Sequence, residues 1–104
     1  MSKKRLPPKE RSKLILNAAL DLAKRDGFDN ITRESVARAA GISPGLVSNY
    51  FNTMNQLQRA VMRAAVAREV LEVVGQGLAA RNEHAMKAPR ELKHRAIALM
   101  LTAE

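Results

Sequence analysis

Apolar residues recur every three or four positions along most of this chain, which predicts helices throughout. From Lys9 onward, Leu14, Ile15, Ala18, Ala19, Leu22 and Ala23 form one stripe, with Lys9, Arg11, Lys13, Lys24 and Arg25 off it. Asp26-Gly27 ends that helix, with Gly27 as its C-cap. Phe28 and Ile31 then pack beneath it across the turn Asp29-Asn30. Thr32 is a good N-cap for a second helix, Arg33 to Ala40.

The second helix leads into the stretch that organises the chain, Val36 to Phe51. Gly41 takes the left-handed conformation that stops one helix. Ser43 supplies an N-cap oxygen for the next, and Pro44 fills its first position, where a missing N–H costs nothing. Val36 and Ala40 lie one turn apart, and Ala37 is small where the helices cross. Ile42 plugs the turn, and Val47, Tyr50 and Phe51 face inward. One helix stopping and another starting within about three residues is the spacing of a helix-turn-helix.

After Phe51, Asn52 and Thr53 break the run, and Thr53 with Gln56 makes a capping box. A long helix from Met54 to Ala80, roughly 40 Å, is predicted by Leu57, Val61, Ala64, Arg68, Leu71, Val74 and Leu78. Gly75 and Gly77 weaken its last third, each by up to about 1 kcal/mol relative to Ala. A polar link, Arg81 to Lys87, precedes a final helix opened by Pro89, with Leu92, Ala96, Leu99 and Ala103 on one face. Ile97, Met100 and Leu101 lie beside that face.

The fold class is therefore all-α: a three-helix DNA-binding head with a helix-turn-helix, then two helices forming a dimerisation region. The expected divisions are a flexible basic arm over 1–8, the head over 9–53 and the helical dimerisation region over 54–104. The later apolar faces exceed what the head can cover, which points to a second copy of the chain. Val61, Leu71, Val74, Leu78, Leu92 and Leu99 are the expected homodimer interface.

Charge narrows the function. Over 104 residues the net charge is +8, which suits an anionic partner. Lys3, Lys4 and Arg5 in the arm can touch phosphates or enter a minor groove. No apolar run is long enough to span a bilayer, so no membrane partner is expected. The start lacks a signal peptide's apolar core, and the absence of Cys excludes disulfide and thiolate chemistry. A cytoplasmic, bacterial protein is the expectation. Aromatic residues are 3% of the chain, too few for a base-stacking platform.

At this point the sequence resembles the TetR family of transcriptional repressors. The resemblance runs from Ile15-Leu16-Asn17-Ala18-Ala19-Leu20 through Gly27-Phe28, Ile31-Thr32, Val36-Ala37-Arg38-Ala39-Ala40-Gly41-Ile42-Ser43 and Gly45 to Tyr50-Phe51 and Leu57. It implies a dimer whose third helix enters the major groove, with the first turn of helix four on the DNA backbone. Ser48 stands where the family usually has a Tyr, and Met54 where a phosphate-contacting Lys is common. Only about fifty residues follow the head, too few for the family's usual inducer cavity of several hundred Å³. A small-molecule inducer is therefore not expected.

The face of the third helix away from Val47 carries the base readers: Pro44, Gly45, Leu46, Ser48 and Asn49. Asn49 is the strongest, because its amide can both donate to and accept from adenine. Ser43 caps that helix, and Tyr50 divides between core packing and a phosphate. Thr32, Arg33 and Arg38 lie on the helix that crosses the DNA backbone. The expected function is a sequence-specific regulator of double-stranded DNA, a dimeric repressor on a palindromic operator. Two other readings stand beside it. One is a helical interaction module or anti-repressor that pairs with a related regulator. The other is a ligand-responsive repressor with a pocket at the dimer interface.

Enzymatic readings find no footing. His84 and His94 are too far apart for a local metal motif, and no nucleophile-elbow pattern surrounds the serines. No catalytic residue, cofactor or metal is expected, and both histidines read as surface residues.

Overall fold

A computed structural model describes residues 8–102, and every regular element among them is an α-helix. In chain order these are α1 (Pro8–Asp26), α2 (Arg33–Ala40), α3 (Pro44–Tyr50), α4 (Met54–Ala67), α5 (Leu71–Ala79), α6 (Glu83–Met86) and α7 (Arg90–Thr102). The arm residues Lys3, Lys4 and Arg5 lie outside the described residues. Pro8 opens α1 instead of closing the arm, because its fixed φ suits a first helical turn.

The head forms where local chemistry directs it. Thr32 Oγ1 accepts the Ser35 N–H at 3.0 Å while Ser35 Oγ accepts the Thr32 N–H at 2.9 Å, a reciprocal capping box on α2. Gly41 ends α2 at φ +74°, and the Ile42 N–H reaches back to the Ala37 carbonyl at 3.0 Å. That 6→1 bond and left-handed residue make a Schellman cap. Ser43 Oγ accepts the Leu46 N–H at 3.2 Å and starts α3. Beneath these caps Ile15, Ala19, Leu22, Ala23, Phe28, Ile31, Val36, Ala37 and Val47 are buried. The apolar stripe of α1 is rotated slightly from expectation: Leu20 is buried and Leu14 is 38% exposed.

The long helix expected from Met54 to Ala80 is broken, and not at its glycines. It stops at Ala67, and Glu69 takes φ +58°. The Val70 N–H bonds the Ala65 carbonyl at 2.8 Å and the Glu69 N–H bonds that of Val66 at 3.3 Å, a second Schellman cap built without glycine. Arg81 repeats the device at φ +58°, with the Asn82 N–H bonded to the Gly77 carbonyl at 2.8 Å. Asn82 Oδ1 then accepts from the His84 and Ala85 N–H groups, so the expected polar link contains the short α6. The two helices expected after the head are thus four.

These reversals fold α5 and α6 back onto α4 and onto each other, with α7 packed on α5. One continuous core results, running from Ile15 through Leu57, Met62 and Val73 to Ala85 and Ala96. This corrects half of the expected interface. Val61 and Val74 are fully buried and Leu92 is 5% exposed, all covered by their own chain. Leu71 and Leu78 are half-buried, whereas Leu99 remains 37% exposed. Among the described residues, no helix is long and apolar enough to cross a membrane.

Candidate nucleic-acid interface

Helix α3 is anchored by one fully buried side chain, Val47, with Tyr50 and Phe51 half-buried against the same core. The opposite face is open. Pro44, Gly45 and Asn49 are exposed, and Leu46 and Ser48 are partly so. This ridge is the one expected to read bases, and among the described residues the Asn49 amide has no hydrogen-bond partner that would hold it back. Ser48 is different: its hydroxyl donates to the Pro44 carbonyl at 3.4 Å, so part of its capacity is spent inside α3. Thr32 and Ser43 likewise use their hydroxyls as caps while remaining exposed.

On α2, Arg38 is exposed and free to extend. Arg33 is half-buried, with a guanidinium nitrogen 3.5 Å from the Asn52 carbonyl and its Nε buried without a partner. At that length the contact is at the limit of a hydrogen bond. Arg33 therefore braces the start of α2 against the α3–α4 junction, a link that no local spacing announces. Across that junction Asn52, Thr53, Asn55 and Gln56 are exposed, and Thr53 Oγ1 accepts the Gln56 N–H at 3.1 Å. Met54, expected to be exposed, is half-buried against the core. It helps seat α4 beside the head.

Away from this face, His84 corrects its expected surface role: its side chain is 19% exposed and Nε2 has no hydrogen-bond partner. His94 is exposed on α7. No group of three His, Cys, Asp or Glu side chains able to hold a metal occurs among the described residues. An open groove of about 580 Å³ lies between α4 and α7, lined by Val66, Glu69, Glu91, Leu92 and Arg95.

A short helix held from below, presenting its outer ridge beside a crossing helix and a basic side chain, defines a helix-turn-helix DNA-binding protein. Residues 15–61 match the family model described as bacterial regulatory proteins, tetR family. The chain is 40% identical over 53 residues to the HTH-type transcriptional regulator BetI of Klebsiella pneumoniae, covering 51% of this chain and 27% of that protein. It is 40% identical over 63 residues to the regulator of the same name from Ectopseudomonas mendocina, covering 61% and 32%. The Escherichia coli K12 protein of that name is 36% identical over 53 residues, covering 51% and 27%. The matched stretch thus spans about a third or less of these relatives. No solved structure matches the chain. Over residues 15–61 the head matches the TetR family of regulatory proteins, and the similarity to named relatives falls on the same stretch.

Proposed function

We propose that the protein is a transcriptional repressor that acts in the cytoplasm as a homodimer, each copy inserting α3 into the major groove of one half of a palindromic operator. The observation that carries this reading is the ridge of α3. Its outer side chains are exposed while Val47 beneath them is fully buried, so the readers stand on a rigid base. Net charge +8 supplies the non-specific attraction to phosphates on which such reading depends. The apolar side chains left exposed on α7 supply a surface for the second copy.

Asn49→Ala tests the ridge. Binding to the preferred duplex, found by selection from random sequences, should weaken by about 1–3 kcal/mol, with preference relaxed at one base position. Binding to random DNA should barely change, because it rests on phosphates. Equal losses on both DNAs would remove Asn49 from the base readers.

Met54→Lys tests how the head docks. Helix N-termini attract phosphate through free N–H groups and the dipole, and a Lys at the first position of α4 adds a cation there. Affinity should rise on specific and random DNA alike, with a salt slope steeper by about one unit per new phosphate contact. Stability should fall slightly, since Met54 gives up packing while a Lys stem can still cover the same surface. An unchanged salt slope would mean that the start of α4 faces away from DNA.

A further inference from the structure

Phe28 sits just beyond α1, in the turn that leads to α2, and its backbone is not satisfied within that turn. Its N–H donates to Gln76 Oε1 at 2.7 Å, and its carbonyl accepts from Gln58 Nε2 at 3.4 Å. The same Gln76 amide uses its Nε2 to donate to the Ala23 carbonyl at 2.9 Å. That carbonyl also accepts the Gly27 N–H at 2.8 Å, so both its lone pairs are used. A side-chain amide carries a donor and an acceptor on one rigid plane, which lets a single residue of α5 hold a carbonyl in the last turn of α1 and the N–H beyond the helix together. All three bonds are partly buried, where leaving a partner unmade is costly.

From this geometry we infer that Gln76, supported by Gln58, is a positioning residue that sets the angle of the DNA-binding head on the helices behind it. The clamp joins elements 48 and 53 residues apart in the chain. Apart from α4, which continues directly from the head, α5 is the element through which the rear helices hold α1. The inference rests on the dimeric reading: in a dimer, the head angle in each copy fixes the distance between the two recognition helices. Half-sites must then fall about one helical turn apart, or a multiple of it, and insertion of a single base pair both shifts and rotates one half-site against the other. Heads held rigidly reject that insertion, and heads on a loosened joint accept it.

The test uses the full chain and Gln76→Met, which keeps the side-chain length and removes both bonds. Glu72→Gln, an exposed change on the same helix, serves as the control. Exchange of the Phe28 amide with solvent, followed by NMR, should quicken roughly two- to tenfold in the variant, the range expected for loss of one hydrogen bond. Affinity should then be measured on duplexes carrying the selected half-sites with the spacer changed by one base pair either way. The wild-type protein and Glu72→Gln should prefer one spacer, and Gln76→Met should lose that preference while keeping Asn49-dependent base discrimination. Unaltered Phe28 exchange, or quickened exchange with the spacer preference intact, overturns the inference. A wild-type protein with no spacer preference overturns the dimeric reading itself. Should Gln76→Met fail to fold, Gln76→Glu decides on the spacer preference alone. It keeps the acceptor for the Phe28 N–H but sets an oxygen against the Ala23 carbonyl, so a retained preference there also overturns the inference.

Discussion

Ile97→Asp combined with Leu101→Asp is expected to leave the protein monomeric and to reduce operator binding to the level of random DNA. The two side chains lie one turn apart on α7 and are 42% and 81% exposed, with Met100 open on the same helix and Met86 beside Ile97. Apolar side chains grouped at a surface mark a place where another chain sits. Neither residue belongs to the buried core, so two carboxylates there should cost little stability in the isolated chain. At an interface between two copies the same carboxylates would be desolvated without partners, and like charges would meet across the two-fold axis. A single head then contacts one half-site and forfeits the joint binding of two. The check is sedimentation at micromolar concentration beside a binding titration on the preferred and random duplexes. A variant that stays dimeric removes α7 from the interface, and a monomer that still holds the operator tightly removes the need for two heads. A wild-type protein that sediments as a monomer removes the dimer.

The head was legible because its instructions are local. Gly41, Ser43 and Pro44 each act within one turn of where they stand, and the structure places all three at helix boundaries. The ridge of α3 followed from the same bounds, since Val47 inward puts Asn49 outward. The rear helices were not legible in this way. The stretch Ala64-Ala65-Val66-Ala67-Arg68-Glu69 contains neither Gly nor Pro, and nothing in its periodicity stops a helix. The break at Glu69 is made by tertiary partners. Arg68 donates to Asn17 Oδ1 on α1 at 2.6 Å, Glu69 accepts from Arg95 on α7 at 3.0 Å, and Val70 packs against the core. The Glu69–Arg95 pair is about half exposed and adds little by itself. What favours the reversal is the burial of Val73 and Val74 that it permits.

An amphipathic stripe also says that a face will be covered without saying by what. Val61, Val74 and Leu92 read as an interface because the sequence shows their spacing and not their neighbours. Once the chain turns back at Glu69 and Arg81, those neighbours are α5, α6 and α7 themselves. The clamp at Gln76 was hidden for the same reason. A glutamine on a half-buried helix position carries no local signal that its amide will meet a backbone 48 residues earlier.

The glycines of α5 show the same principle with a measurable consequence. By propensity alone they weaken the helix, and alanine at either position should help by up to about 1 kcal/mol. Their surroundings separate them. A Cβ at Gly77 would stand 2.7 Å from both Ala85 Cβ and the Met62 side chain, each of which is fully buried. Neither can retreat, because Ala85 has no torsion to turn and Met62 is enclosed by core on all sides. A Cβ at Gly75 would meet Met100 Sδ at 2.8 Å, but Met100 is 45% exposed and can swing into solvent. Gly77→Val is therefore expected to destabilise the protein by about 3 kcal/mol or more, the upper range for overpacking a closed core. That is a large part of the 5–15 kcal/mol typical of a folded domain. Gly75→Ala should be neutral or slightly stabilising. Urea unfolding of the two variants beside the wild-type protein measures the difference through the shift in midpoint at unchanged slope. Equal midpoints for Gly77→Val and the wild type would mean that α5 does not press against α6 and α4 at Gly77, and that the rear of the molecule is packed more loosely than these distances require.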